Sequence, residues 1–592
     1  MSHLVPKFIS GRLFSTYQHT WYQNLPQFIS GRLFSSCLDG TRCPTLGVFV
    51  SAVSVGALVP VPRYRIIRYQ VFTYRPGTIW YQVSIYRYLV SLCRGVPVPN
   101  KPVALEAHGT RCPTIDVCFY LRYDAAMNKY IIEGGHPLKG TIKISGNKNA
   151  ALPCISAALL SAEPVVLRNI PDIEDVRVML AICRALGAHV EPLGCNAWKI
   201  HANEFTTTTI PADLAAKVRA SILFAGSVLA RKGCVVLPPP GGDVIGRRRV
   251  DTHLLALEAL GARVEIDGVF EFTTNKLKGT DIFLDEASVT ATENAVMAAA
   301  LAEGTTVIRN AASEPHVQDV CKMLNSMGAK IAGIGSNIIT IEGVQALHGT
   351  DFSIGPDFME VGSFIGLGAV TRSDLVIQGV NPDDLRMIKL AFGKLGISWT
   401  IAPAQGVSST TVYAVPGVET GGGAVSAENA TRNVNSVPGV ETGFDLIMKP
   451  GQVMRVVPDL GGQIPKIDDA PWPGFPPDLT SIMTVVATQV EGTVLIHEKM
   501  FESRMFFVDK LIGMGARIVL CDPHRAVVSG PARLHGTELV SPDVRAGMAM
   551  VIAALCAEGT SCIRNVYQIE RGYEHIVERL KGLGACIERA QD

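Results

Sequence analysis

The sequence predicts an α/β protein assembled from repeated units of about 70 residues, on three observations. First, a helix-like stretch ending in Leu or Met, then Gly, then Ala or Ile, runs into a short strand-like segment six times. The copies centre on Gly187 (ALGAHVE), Gly261 (ALGARVEI), Gly328 (SMGAKIAG), Gly396 (KLGISWT), Gly515 (GMGARIVL) and Gly584 (GLGACIE), spaced 74, 67, 68, 119 and 69 residues apart. Second, another landmark recurs out of phase: AEPVVLRN from Ala162, AEGTTVIRN from Ala302, VEGTVLIHE from Val490 and AEGTSCIRN from Ala557. Third, 592 residues of which 47% are hydrophobic suffice for two or more domains with their own cores.

Each element follows from these landmarks. The six glycines suit helix C-caps feeding a strand, because a left-handed backbone carries no Cβ penalty at glycine. At the second landmark a helix ends near the Glu-Gly pair and a β-rich run follows. Each unit therefore holds two helices and several strands, and six units make a protein of repeated βαβ-type pieces. The long interval contains VPGVETG twice, at Val415–Gly421 and Val437–Gly443, around a polar, Gly-rich stretch. Residues 415–443 are expected to be a disordered insert in a surface connection.

The front is different. Residues 1–126 carry 13 Lys+Arg against 4 Asp+Glu, leaving 41 against 49 in the rest, so a front of about +9 precedes a body of about −8. The front holds 10 of the 14 tyrosines and repeats FISGRLFS (Phe8–Ser15, Phe28–Ser35) and GTRCPT (Gly40–Thr45, Gly109–Thr114) verbatim. Such repeats lack the hydrophobic period of a packable unit, so residues 1–126 are read as an extension outside the fold, with translation starting at Met127. Leu46–Pro60 is apolar but too short and too broken by Gly and Pro for a spanning helix, and no membrane association is expected.

Of 14 cysteines nine follow Met127, mostly within apolar helix or strand patterns, with no CxxC pair and no zinc spacing. Reduced, buried thiols in a cytoplasmic protein and no metal site are the expectation.

Three stretches suggest anion chemistry. Leu237–His253 (LPPPGGDVIGRRRVDTH) reads as a loop: its prolines and glycines oppose a helix, and Arg247, Arg248 and Arg249 supply forks for phosphate or carboxylate beside the acid Asp243. Lys148 and Asn149 stand at a strand-to-helix turn, where a lysine and backbone N–H groups can hold an anion together. Arg219 opens an apolar helix, opposing its dipole unless an anion is near. Each alone is more simply read as part of a solvated surface.

Together these stretches resemble the UDP-N-acetylglucosamine 1-carboxyvinyltransferase family of enolpyruvyl transferases. SGNKNAALP, RASI, GGDVIGRRRVDTH, EASVTATEN, FPPD, FESR, PDVRAG and ERGYEHI occur in that family's order, from Met127 to about Glu588. The resemblance implies two inside-out α/β barrel domains of three βαβαββ-type units each, residues 148–355 and residues 127–147 with 356–592. The active site would lie in the cleft between them, with 237–253 as lid. It implies enolpyruvyl transfer from phosphoenolpyruvate to the 3-hydroxyl of UDP-N-acetylglucosamine, the committed step of peptidoglycan synthesis, with no cofactor.

Carried over residue by residue, Lys148, Arg248 and Arg571 would bind phosphoenolpyruvate, helped by Arg219 and Arg504. Asn149, Asp478, the segment Arg248, Arg249, Val250, Asp251 and Thr252, and Ser288, Val289 and Met500 would contact the UDP-sugar. Asp478 would take the 3-hydroxyl proton, with Asp543 and Arg545 as supporting partners. Asp243 stands where many members carry cysteine and would move protons on the lid. A carboxylate is far less nucleophilic than a thiolate, which implies insensitivity to the epoxide fosfomycin. Arg249, where proline is common, Glu286, where lysine often contacts the nucleotide, and two extra lid residues in Pro238–Pro240 depart from the family pattern.

The sister transferase acting on shikimate 3-phosphate shares the resemblance, but its NAGTAMR-type segment is absent. A non-catalytic binding protein is the other alternative, as is a nucleic-acid binder using RYRIIRYQVFTYRPGTIWYQ of the front. No nucleic-acid partner is expected, and the chain is read as a monomer or weak oligomer.

Overall fold

The computed structural model describes residues 128–242, 249–404 and 443–591, together with the backbone of 64–73 and 81–90. The chain divides into two compact units, residues 1–120 and 121–592. In the first, Tyr64–Thr73 and Tyr81–Val90 pair antiparallel with Tyr64 opposite Val90. The sequence reading placed no regular element there.

The second unit is built on the predicted repeat. All six landmark glycines follow a helix, with φ between 72° and 106°. Those helices are Glu174–Ala185, Asp251–Ala259, Pro315–Ser326, Arg386–Gly393, Val508–Gly513 and Ile576–Gly582. After each glycine the next N–H bonds back to the carbonyl five residues earlier, as in Ala188 to Cys183 at 3.0 Å and Ala585 to Leu580 at 3.0 Å. This double-bonded cap satisfies the last carbonyls and turns the chain into the following strand. At the second landmark Asn169, Asn310 and Asn565 take left-handed φ of 57–58°. Their side-chain amides donate to the carbonyls of Ile354, Leu284 and Ser541.

Six other helices are almost wholly buried: Lys148–Ala157, Phe224–Lys232, Val289–Ala299, Phe358–Val370, Thr480–Ala487 and Val544–Cys556. They are apolar on nearly every face, as an interior helix must be. The first three pack on one another, and so do the last three. Among the described residues of this unit, five four-stranded sheets and one three-stranded sheet lie outside them. Helices are thus inside and sheets outside, the α/β architecture that the resemblance implied.

Two separate cores result among the described residues. One gathers residues from Ala150 to Ile354; the other combines Tyr130–Ile144 with Phe358–Ile587. The chain passes between them twice, and the two crossings are hydrogen-bonded side by side: Asn147 N–H to Gly355 O at 2.8 Å and Asp357 N–H to Ser145 O at 3.0 Å. Gly146 is obligatory there, since a Cβ would meet the Asn169 carbonyl oxygen at 1.6 Å. The inner helices starting at Lys148 and Phe358 grow from this seam.

Several expectations change. The loop predicted over 237–253 stops at Val250, because Asp251 begins a helix whose first turn favours an acid. Arg219 opens a 3-10 turn, Arg219–Leu223, before the α-helix begins. The nine cysteines after Met127 are free, but only Cys154, Cys183 and Cys321 are buried; Cys195, Cys521 and Cys586 are exposed. Cys521 and Cys586 belong to strands whose positions alternate outward. Pro403 pairs with Phe444, so residues 405–442 join two neighbouring strands. The duplicated stretch at 415–443, apart from Gly443, lies outside the described residues, as do Asp243 and Arg248. Among the described residues no helix is long and apolar enough to cross a membrane.

Candidate active site

A cavity of about 470 Å³ opens between the two cores and is lined by both. Helix starts from each core converge on it. Asn147 caps the helix of Lys148, its side-chain oxygen accepting from the N–H groups of Asn149 (2.8 Å) and Ala150 (3.2 Å). Asp357 caps the helix of Phe358, and Asp543 that of Val544 through the N–H groups of Arg545 and Ala546, both at 2.9 Å. These caps set the angles at which Lys148, Asn149 and Arg545 enter the cavity.

On one wall the buried Asp175 carboxylate joins two cations. Lys148 Nζ lies 2.9 Å from its Oδ2; Arg571 donates from Nε to Oδ1 at 2.8 Å and from a terminal nitrogen to Oδ2 at 3.2 Å. Burial alone would raise the Asp175 carboxyl, but Lys148 and Arg571 hold it below the usual range. Asp175 and Lys148 belong to the first core's sequence span and Arg571 to the second's.

On the facing wall Asp478, in the turn Pro477–Leu479, accepts from Arg504 at 2.9 Å and from Arg545 Nε at 3.0 Å. Both arginines are buried, with side chains 4% exposed, and each lies over a ring: Arg504 over Phe501 at 5.1 Å, Arg545 over Tyr573 at 5.2 Å. Burial works against ionisation of Asp478, yet the two guanidiniums and Lys148 hold its carboxyl well below the usual range. It is a carboxylate throughout the neutral range.

A third wall carries buried carboxyls and an imidazole beside aromatic rings. Glu293 is buried and pushed well above the ordinary carboxyl range by desolvation and by Glu314, itself raised by burial. Burial lowers the neighbouring His316 imidazole to about 4, with Asp478 and Arg545 pulling in opposite directions. Its ring stacks on Phe358, which meets Trp472 edge-on at 5.6 Å. Two walls that set lysine or arginine against carboxylates, and a third of aromatic and buried carboxyl groups, can accommodate a ligand with an anionic group and an uncharged hydroxylated part.

Of the residues predicted for the site, Lys148, Asn149, Arg219, Arg249, Ser288, Val289, Asp478, Met500, Arg504, Asp543, Arg545 and Arg571 line this cavity. Val250, Asp251 and Thr252 do not. Thr252 is buried against its own core, donating to Asp285 at 2.6 Å, and Asp251 pairs with Arg249. Sequence reasoning missed Asp175, Glu293, Glu314, His316 and Trp472. Asp175 reads as an ordinary first-turn acid; Glu293 stands in the EASVTATEN stretch, where its own signal was a charge inside an otherwise apolar helix pattern.

The family profile described as EPSP synthase (3-phosphoshikimate 1-carboxyvinyltransferase) matches residues 132–580. An enolpyruvyl transferase, NikO, from Streptomyces tendae superposes with a TM-score of 0.64 at 24% identity, covering 79% of this chain and 100% of that one. EPSP synthase from Acinetobacter baumannii gives 0.57 at 18%, covering 78% and 100%. The fold is that of the enolpyruvyl transferases.

Sequence relatives are more specific. The UDP-N-acetylglucosamine 1-carboxyvinyltransferase of Treponema denticola is 66% identical over 462 residues, 78% of this chain and 99% of the relative. That of Treponema pallidum is 62% identical over 461 residues (78% and 99%), and that of Bradyrhizobium diazoefficiens 52% over 464 (78% and 98%). The chain belongs to the UDP-N-acetylglucosamine 1-carboxyvinyltransferase family.

Proposed function

We propose that this chain is a transferase moving the enolpyruvyl group of phosphoenolpyruvate to the 3-hydroxyl of UDP-N-acetylglucosamine, with release of phosphate. The observation that carries the reading is the meeting of Lys148 and Arg571 with Asp478 and its two arginines around one cavity, in a chain so similar to transferases of that name.

In this reading Lys148, Arg571 and Arg248, with Arg219 and Arg504, hold the phosphate and carboxylate of phosphoenolpyruvate. Asn149, Ser288, Val289, Met500 and the lid segment hold the nucleotide sugar. Asp478 accepts a hydrogen bond from the sugar 3-hydroxyl and aligns its oxygen on C2 of the enol. A carboxylate held so low is a weak base toward a free alcohol; it takes the proton as the new C–O bond forms and the hydroxyl becomes acidic. C3 gains a proton, giving a tetrahedral adduct. Loss of a proton from C3 and departure of phosphate restore the vinyl group. Asp243 serves proton movement at C3 from the lid, and as a poor nucleophile it leaves the protein unreactive toward fosfomycin. The product serves peptidoglycan synthesis in the cytoplasm, and the protein works as a monomer or weak oligomer without nucleic acid.

The test is phosphate release from phosphoenolpyruvate by wild type and Asp478→Asn, with UDP-N-acetylglucosamine, with shikimate 3-phosphate, and with neither. Release that requires the nucleotide sugar and collapses in the variant is the expected result. Release with shikimate 3-phosphate alone would replace the acceptor, and none with either would leave a binding role.

A further inference from the structure

Beside the cavity, one short segment, Glu570–Ile576, makes several of the contacts across the seam between the two cores. Arg571 reaches Asp175, and the Glu574 carboxylate accepts from Asp172 N–H at 3.0 Å and from the Asn196 side chain at 3.1 Å. His575 Nε2 stands 3.6 Å from Asp172. Three of these contacts hold backbone or surface side chains. The one through Asp175 is different, because both cations it ties together are groups that the proposed reaction needs for its anion.

The geometry at Asp175 is that of a bound anion. Its two oxygens take the Nε and terminal-nitrogen fork of Arg571, the donor pair by which arginine grips a carboxylate or phosphate bidentately, while Oδ2 also meets Lys148 Nζ at 2.9 Å. Side chains of all three are almost inaccessible, at 5–11% exposure, so few waters compete. Two buried cations cannot share this space without a counter-charge, and the carboxylate supplies it. A substrate anion that needs the same fork must take the place of the carboxylate.

We propose that Asp175 is a positioning residue of the anion site, an internal stand-in for the substrate's charge. It keeps Lys148 and Arg571, from opposite cores, paired and aimed at the cavity while the site is empty, and yields the fork of Arg571 when an anion enters. The inference rests on the reading of Lys148 and Arg571 as phosphoenolpyruvate ligands. It adds a consequence: anion affinity is set by competition with Asp175, so the site holds its anions more weakly than its cations alone would, which favours release of product phosphate.

The test is calorimetric titration with inorganic phosphate of wild type, Asp175→Asn and Asp175→Glu, with steady-state kinetics alongside. In Asp175→Asn the competing charge is gone while Glu574 still fastens the seam. Phosphate should bind at least about tenfold more tightly, and both KM for phosphoenolpyruvate and kcat should fall, the latter because phosphate leaves slowly. Asp175→Glu keeps the charge and should return phosphate affinity to near the wild-type value. A purely structural Asp175 predicts weaker or unchanged phosphate binding and a raised KM, and either result in folded Asp175→Asn overturns the proposal. If that variant does not fold, hydrogen exchange of the wild type decides: phosphate should alter protection at the start of helix Glu174–Ala185 and across Glu570–Ile576 together, and no change at either overturns it. A wild type that turns over no phosphoenolpyruvate would end the functional reading, while the phosphate titrations would still decide the role of Asp175.

Discussion

Arg545 donates from Nε to Asp478 Oδ2 at 3.0 Å while its guanidinium lies over the ring of Tyr573. The aspartate is thus held in one orientation by a group that is itself held, the arrangement that keeps a proton acceptor aligned. Asp478→Asn preserves shape and one acceptor oxygen but removes the charge. Phosphate release is expected to fall by about 10²-fold or more, in keeping with a positioned base. Near-wild-type turnover in a folded Asp478→Asn protein would refute the assignment.

Glu498 gives the pH dependence a sign. Its side chain is fully buried, and burial, then Asp469, push its carboxyl up to about 9 against the pull of Arg504. The folded state therefore keeps a proton that the unfolded chain releases near pH 4.5. This stability is complete below that value and is lost as pH rises towards 9, at up to about 1.4 kcal/mol per pH unit. Denaturant titrations between pH 7.5 and 9 should show a shallower decline in Glu498→Gln than in wild type.

The histidines act in the opposite direction. Burial lowers His253 to about 3 and His316 to about 4. Each is neutral when folded but charges on unfolding below about pH 6.5, so their share of stability is intact above 6.5 and is lost as pH falls towards 4. Replacing His316 with Gln should reduce the acid-side slope measured between pH 6.5 and 4, with no effect above it.

Two glycines should respond very differently to alanine. Gly584 has φ 89° and open space around a Cβ, so Gly584→Ala should cost only the left-handed backbone term of roughly 1–2 kcal/mol. At Gly146 the Cβ would meet the Asn169 carbonyl in the seam, and Gly146→Ala should yield little folded protein. Thermal melts and soluble yield separate the two.

Asp243 supplies a chemical prediction. Incubation with fosfomycin should leave wild-type activity intact, whereas Asp243→Cys should show time-dependent inactivation, because only a thiolate opens the epoxide readily. Progressive inactivation of wild type would contradict the assignment.

Removal of residues 1–126 is expected to leave phosphate release unchanged, since the relatives' matches cover 78% of this chain yet nearly all of their own length. Loss of turnover in the chain begun at Met127 would show that the basic front takes part.

How much was legible follows from the range of the forces involved. The six glycines at Gly187, Gly261, Gly328, Gly396, Gly515 and Gly584 could be read from sequence because a left-handed helix cap is a requirement of a few consecutive residues, and so could the two-helix unit they punctuate. Lys148 and Asn149 were legible for the same reason, since a helix start is local. The resemblance located Asp478, Arg545 and Arg571 as positions without saying what held them. Asp175 could not be found, because nothing in IEDVR distinguishes a buried aspartate from a solvated one; its meaning comes from Arg571, 396 residues away. The resemblance gave Val250 to Thr252 as nucleotide-sugar contacts, but the loop pattern itself could not say that a helix begins at Asp251 or which way its first turn faces. Local backbone preference and hydrophobic period were thus written in the chain, while the choice of which charges share a cavity was made only when two cores came together around it and buried those side chains.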